Sequence, residues 1–325
     1  MGKQGAIVVI GSANMDVVMH VDRLPHPGET ITGGDMALFA GGKGANQACA
    51  AGKLGGSVTF IGQVGSDPFG AVLLASLRQA GVDTGCVGIA GRASGCASIY
   101  VLAGGENAIV ISPGANATLD PETALARLEA LDGVALVLLQ LEIPIETVAA
   151  ALEWARSHGA VTILDPAPAR PLSASLLRQV DFLTPNQSEA ATLLGMASEE
   201  IRGFADAEEA AAGLLALGPS SVIVKLGSIG CLVATPQART RIQGFRVAAV
   251  DTTGAGDAFN GGLAVALAEN QPVVEAAAFA NAAGAIAVTR NGAQASLPSR
   301  VEVSRFLDLA GDRLNSYAQE TQCLS

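Results

Sequence analysis

Residues 251–262 read DTTGAGDAFNGG and run directly into LAVALAE, an apolar helical stretch. Glycines at 254 and 256 let the backbone approach a ligand closely. The helix that follows offers first-turn amides with no internal partner and a partial positive charge. Gly254, Ala255 and Gly256 therefore suit an anion hole for a phosphate. Asp257 falls in the first turn, where the helix end favours its ionised form by roughly 0.3–1 kcal/mol. An ionised carboxylate beside a bound phosphate can take the proton of a hydroxyl as that hydroxyl attacks phosphorus. The same residues also fit a plain capped turn before a helix.

Other polar residues stand at the ends of apolar runs. Asn14 and Asp16 follow AIVVIG and are two apart, so they share a face if extended. Such a pair either holds a vicinal diol or forms an Asx turn. GGKGANQ (41–47) opens the next helix with Lys43, Asn46 and Gln47 as polar contacts, or is a loop with a solvated lysine. Glu142 closes VALVLLQLE as either a surface terminator or a hydroxyl acceptor. Asn186 and Glu189 follow DFLTP with the spacing N-x-x-E, which is either a capping box or a pair that organises Mg²⁺-bound water. KLGSIG (225–230) ends a further run with two glycines, which suits contact with a nucleotide. A hydroxyl-binding group and a phosphate-binding group thus lie along one edge of one sheet, the layout of a small-molecule kinase.

Familiar alternatives are missing. There is no G-x-x-x-x-G-K-[ST], Phe259 stands where a third G-x-G-x-x-G glycine belongs, and neither H-R-D nor D-F-G occurs. The three histidines, His20, His26 and His158, lie apart from every motif, which disfavours zinc chemistry and a Ser-His-Asp arrangement.

The elements that must position these residues follow an α/β rhythm. Apolar runs at 6–11, 58–64, 134–142, 161–165, 181–186 and 221–227 alternate with helical patterns near 45–54, 68–80, 145–158, 188–195, 205–217, 256–269 and 272–289. This predicts a three-layer α/β/α sandwich around a mostly parallel sheet. Segments 15–40 and 95–112 break the rhythm with alternation, the second around a Gly104-Gly105 tip, and predict a small antiparallel β lid. The main domain then comprises 1–14, 41–94 and 113–310, and 311–325 is a polar, frayed tail. Aromatics make up only 4% of the 325 residues, so the core is aliphatic and alanine-rich. A net charge of −11 argues against nucleic acid or an anionic membrane as partner. Five cysteines without a C-x-x-C pair read as reduced thiols. With no signal-peptide core and no stretch long enough to span a bilayer, a soluble cytoplasmic protein is expected.

GSANMD (11–16), PGET (27–30), GGKGANQ (41–47), DPAPA (165–169), TPN (184–186), DTTGAGDAFNGG (251–262) and AIAVTRNGAQASLP (285–298) together resemble the ribokinase, or PfkB, family of carbohydrate kinases over nearly the whole chain. Within that family they point toward members acting on ribose. The resemblance implies ATP-dependent phosphorylation of the sugar's primary hydroxyl, with Asp257 as base and the Gly254–Gly256 amides as anion hole. It implies sugar contacts from Asn14, Asp16, Gly42, Lys43, Gly44, Ala45, Asn46 and Glu142. ATP contacts would come from Asn186, Lys225, Leu226, Gly227, Ser228, Ile229, Gly230, Gly256 and Asn281, with Glu189 acting through Mg²⁺. Asp251, Thr253, Ala287, Arg290, Gly292 and Ser296 match an activating K⁺ site, and the lid matches a homodimer contact. Asn281 and Lys225 depart from the family pattern, where a histidine and a small polar residue are frequent. Other readings are a kinase of deoxyribose, a nucleoside or a ketohexose, and a non-catalytic sugar or nucleotide sensor.

Overall fold

The computed structural model describes residues 5–104, 106–197, 200–310 and 322–323. Its strands are β1 Ala6–Ile10, β2 Asn14–Val21, β3 Met36–Gly41, β4 Val58–Gly65, β5 Val87–Ala90, β6 Gly95–Leu102, β7 Asn107–Ser112, β8 Val134–Leu139, β9 Val161–Leu164, β10 Phe182–Leu183, β11 Ser221–Lys225, β12 Gly230–Ala234, β13 Ala238–Gln243 and β14 Gln322–Cys323. The helices are α1 Lys43–Lys53, α2 Pro68–Gln79, α3 Pro121–Glu129, α4 Ile145–Ser157, α5 Ala174–Leu177, α6 Gln187–Leu194, α7 Phe204–Ala216, α8 Ala255–Ala268, α9 Val273–Ala287, α10 Ala293–Ser296 and α11 Arg300–Leu309.

Ten strands form one sheet in the order β14-β13-β12-β11-β10-β9-β8-β1-β4-β5. From β11 to β5 every neighbour is parallel; β12, β13 and β14 return antiparallel along one edge. Alternation within β1 shows why both faces are apolar. Ile7 and Val9 belong to the core shared with α1, α8 and α9, whereas Val8 and Ile10 belong to the core shared with α3, α4 and α7. Burying each such side chain contributes roughly 1.5–3 kcal/mol, and a strand covered on both sides needs apolar residues at every position.

A second sheet, ordered β3-β2-β6-β7, forms the lid. Its hairpins β2/β3 and β6/β7 are antiparallel, as expected, and they join through a parallel β2–β6 pairing. Of the expected Gly104-Gly105 tip, Gly105 lies outside the described residues, as does the tail at 311–321 and 324–325. Gln322 and Cys323, expected to fray with that tail, instead pair with β13.

The topology sets the place of the site. β1 lies between β4, reached first along the chain, and β8, reached later on the opposite side. Ligands in such sheets bind beyond the carboxyl ends of the strands at a point of reversal. Here those ends carry Ser12 and Asn14 after β1, Gln140 and Glu142 after β8, Asp165 after β9, Asn186 after β10, and Lys225 at the close of β11.

Candidate active site

The head of α8 is built on a glycine. Gly254 caps it in the left-handed region (φ +78°), and a Cβ there would lie 3.1 Å from Ala293 Cα and its carbonyl oxygen. Ala255 N–H makes a long bond to Thr252 O at 3.3 Å. Gly256 and Asp257 have no residue four back inside the helix to receive their amides. Gly254, Gly256 and Asp257 line a cleft of about 810 Å³ together with Lys43, Asp165 and Lys225. Gly254→Ala is expected to cost about 1–2 kcal/mol from the left-handed φ and to displace these amides. Thermal melts should fall by several degrees and kcat by about tenfold. Unchanged values of both would count against an anion hole at this turn.

Asp257 sits at the third helical position and is almost fully buried. Asn46 Nδ2 donates to its Oδ2 at 2.9 Å, and Gln47 Nε2 donates to its Oδ1 at 3.0 Å. Gln47 Nε2 also donates to Asp165 Oδ2 at 2.8 Å, and Gln140 Nε2 donates to Gln47 Oε1 at 2.6 Å. Gln294 Nε2 donates to Asn46 Oδ1 at 3.1 Å, so the side chain that orients Asp257 is itself oriented. Burial, and then the charge of Asp165, push the Asp257 carboxyl above the usual range, while Lys43, Asn46 and Gln47 pull it back. The helix end was expected to keep Asp257 ionised; burial outweighs that preference and leaves a stronger base.

A second polar group, Asn14, Asp16, Lys43 and Glu142, gathers where β2 and the head of α1 meet the end of β8. Glu142 faces inward: its Oε2 accepts from Ser12 Oγ at 2.5 Å, Lys43 N at 3.0 Å and, weakly, Asn14 Nδ2 at 3.5 Å. The surface alternative for Glu142 is thereby removed. Asn14 and Asp16 lie within β2, which removes the Asx-turn alternative. Asn14 Oδ1 accepts from Asn116 Nδ2 at 2.7 Å. The Asp16 carboxyl is pushed up to about 7 by burial, then by Glu142 and Asp257. Burial opposes the charge of Lys43, but Asp257, Asp165, Glu142 and Glu189 outweigh it and hold the ammonium above the usual lysine range. Gly42 turns the chain into α1 at φ +88°, with Asn14 N only 2.6 Å from where a Cβ would stand. Gly44 and Ala45 are buried against Ser12, whose carbonyl accepts Ala45 N–H at 2.8 Å.

On the other side, Asn186 and Glu189 form a full capping box on α6. Glu189 Oε2 accepts Asn186 N–H at 2.7 Å and Oε1 accepts Asn186 Nδ2 at 2.8 Å. Burial raises the Glu189 carboxyl, and the charge of Lys225 opposes that rise. The turn Leu226–Gly230 closes with Leu226 N–H on Gly230 O at 2.8 Å. Beyond it lies an apolar cavity of about 440 Å³, lined in part by Ser228, Phe245, Phe259, Asn281 and Val288. Asn281 Nδ2 donates to Gln243 O at 3.0 Å. Lys225, Gly227, Thr252 and Gly256 line both cavities, so the polar cleft and the apolar slot meet at the head of α8.

Three of the six residues matched to a K⁺ site come together directly. Asp251 accepts Thr253 N–H at 2.9 Å and Gly292 N–H at 2.8 Å. Ala287 O accepts Arg290 N–H at 3.2 Å, the Arg290 side chain pairs with Glu302 at 2.5 Å, and Ser296 Oγ donates to Ala293 O at 2.9 Å. Among the described residues no cluster of three or more His, Cys, Asp or Glu is placed to hold a metal ion. Cys49, Cys86, Cys96 and Cys231 are free thiols. No helix among the described residues is long and apolar enough to cross a membrane.

The structure adds Ser12, Asn116, Gln140, Asp165 and Gln294 to the site. Gln140 and Asp165 carried the same signal as Glu142, a polar residue closing an apolar strand. Asn116 and Gln294 sit in short loops and helices whose place only the fold reveals.

The model of the pfkB family carbohydrate kinases matches residues 4–300. A ribokinase from Haemophilus influenzae is 40% identical over 311 residues, covering 94% of this chain and 99% of its own. A deoxyribokinase from Salmonella typhi is 37% identical over 305 residues, covering 93% and 99%. The structure of Arabidopsis thaliana ribokinase complexed with ribose and ATP aligns with a TM-score of 0.87 at 35% identity, covering 93% of this chain and 98% of that one. The chain belongs to the pfkB family of carbohydrate kinases, phosphotransferases that use an alcohol group as acceptor.

Proposed function

We propose that this enzyme phosphorylates the primary hydroxyl of D-ribose with ATP, giving ribose 5-phosphate and ADP. The observation that carries this is the position of Asp257, which lines the cleft at the first turn of α8 beside the hydroxyl-binding group of Asn14, Asp16, Lys43 and Glu142. The similarity to proteins named ribokinase, one with ribose and ATP bound, supports the choice of both substrates.

The acceptor is held from the lid side. Glu142 and Asp16 accept hydrogen bonds from sugar hydroxyls, and Asn14 and Lys43 donate. The adenine occupies the apolar slot beside Asn281, and the triphosphate runs over the Lys225–Gly230 turn toward Gly256. Asp257 takes the proton as the hydroxyl oxygen bonds to the γ-phosphorus, and the bond from that phosphorus to the bridging oxygen of ADP breaks. The Gly254–Gly256 amides face the charge on the phosphoryl oxygens. The lid keeps out water, which would otherwise compete as acceptor.

Two ions belong to this proposal. The hard oxygen donors of Glu189 and Asn186 suit Mg²⁺ that arrives on the triphosphate and keeps its water, where it would neutralise phosphate charge. The bonds of Thr253 and Gly292 to Asp251 draw two loops together and leave carboxylate lone pairs free, which suits K⁺ beside the anion hole. The lid would supply the partner surface: its outer strands β3 and β7 expose Met36, and Ile109 and Ile111, respectively. Exposed apolar side chains on a sheet suit burial against a second copy.

ADP release measured across ribose, 2-deoxyribose, ketohexoses and nucleosides tests the assignment. Ribose is expected to give a kcat/KM at least about tenfold above the others, because buried hydroxyl acceptors penalise an analogue that leaves them unpaired. A higher value for another acceptor overturns the choice of ribose, and tight binding of ribose and ATP without ADP release overturns the enzyme in favour of a sensor.

A further inference from the structure

The chemistry above leaves one buried ion pair without a task. Lys225 closes β11, and its backbone N–H donates to Pro185 O at 2.8 Å, which pins it at the mouth of the cleft. Its Nζ lies 2.9 Å from Asp165 Oδ1, with side chains only 12% and 3% exposed. A Cβ built on Gly256 would stand 3.6 Å from the same Nζ, so the ammonium sits close to Gly256 at the head of α8. Through Gln47, Asp165 is joined to Asp257, since the one amide nitrogen donates to both carboxylates. A continuous polar chain therefore runs from the phosphate cleft to the base. A pair of charges this dry is expensive to bury, and a neutral pair would pack as well.

Building on the phosphotransfer proposed above, we infer that Lys225 is a further catalytic residue that carries positive charge onto the transferring phosphoryl group, with Asp165 as the positioning residue that holds it there and couples it to Asp257. An ammonium has three donors; one is spent on Asp165 and two remain for phosphoryl oxygens. Charge spread over the equatorial oxygens in the transition state is where a fixed cation acts most strongly. Of this pair, Asp165 acts on Asp257 directly and raises its proton affinity, whereas Lys43, outside the pair, lowers it. Asp16 faces Asp257 from β2, with Glu142 beside it, and Glu189 faces the ion pair from α6.

The test compares Lys225→Met, Asp165→Asn and the double variant in the full chain. Lys225→Met is expected to lower kcat by about 10²-fold with the acceptor KM little changed, and to weaken AMP-PNP binding more than ADP binding. The acid limb of the kcat profile should move to higher pH in Lys225→Met, where Asp165 is left uncompensated, and to lower pH in Asp165→Asn. The double variant should return the limb toward its original position without returning kcat. Recovery of wild-type kcat in the double variant would show a structural counter-ion only and overturn the proposal. So would a Lys225→Met enzyme with full kcat and equal losses of AMP-PNP and ADP affinity. If Lys225→Met fails to fold, the double variant, which buries no unpaired charge, decides the matter. A wild type inactive on every sugar refutes the functional proposal instead, and the two nucleotide affinities still decide this one.

Discussion

Asp257→Asn is expected to lower kcat by about 10²–10⁴-fold, the usual worth of a positioned general base, while the acceptor KM changes by no more than about threefold. The asymmetry follows from what the carboxylate touches. Its oxygens accept from Asn46 and Gln47, which are donors on α1, so its place is set by the protein and not by the sugar. An amide keeps the shape and one acceptor oxygen but has negligible proton affinity. It also turns an NH₂ toward one of the two donors, which removes one buried hydrogen bond. Residual turnover then comes from the anion hole and from substrate positioning. The pH dependence is a second readout. In the wild type kcat is expected to rise with pH as Asp257 loses its proton, from a point above the usual carboxylate range because the group is buried. In the variant that limb disappears. Single-turnover rates and thermal melts together check the prediction. A variant that melts normally and retains turnover within about tenfold of wild type would mean that another group takes the proton.

How much of this was legible in the chain depends on which physical signal each part leaves. The parallel sheet was readable because AIVVI and VALVLL are apolar at every position, which only a strand buried on both faces requires. The helix heads at 43 and 255 were readable because glycines there have few other uses. The antiparallel return β12–β13 was not. GCLVA is short, and ARTRIQ carries two arginines, a threonine and a glutamine near a sheet edge, so neither resembles the inner strands. The helix α3 stands outside the apolar rhythm, although Asp120 caps it and Pro121 follows, both ordinary start signals. Within the site, roles that depend on strand ends were predicted, and roles that depend on packing were not. Lys225 is the clearest case. In the sequence it is a lysine ending a strand, equally suited to phosphate or solvent. Only the fold sets it 2.9 Å from Asp165, sixty positions away, and shields both from water. The tuning of Asp257 has the same origin, since its burial is made by α1, β9 and α8 together.

Asp16→Asn is expected to lower kcat/KM for the sugar by about 10²–10⁴-fold, from two charged hydrogen bonds of roughly 1.5–3 kcal/mol each, and to make the protein more stable at neutral pH. The two effects have one cause. The Asp16 carboxyl is pushed up to about 7 by burial and by the nearby charges of Glu142 and Asp257, from an ordinary value of 3.8. The folded protein therefore binds its proton more tightly than the unfolded chain does. Stability from this group is fully present below about pH 4, falls as pH rises toward 7, and is level above that. Asparagine carries no such penalty. The variant should melt higher than wild type at pH 8, and the difference should shrink to nothing near pH 4 if both stay folded. Sugar binding runs the opposite way. Hydroxyl donors favour the ionised carboxylate, so they lower its proton affinity when bound. Wild-type KM for the acceptor should therefore rise as pH falls below about 7, and the variant's KM should be flat over the same range. Melting curves and KM values from pH 5 to 8 on both proteins check this together. A variant less stable than wild type at pH 8, or one whose KM still follows pH as the wild type's does, would place the strain and the sugar contact on a different residue. On the proposed reading, the stability given up at Asp16 is the counterpart of sugar binding: the charge is costly until hydroxyls meet it.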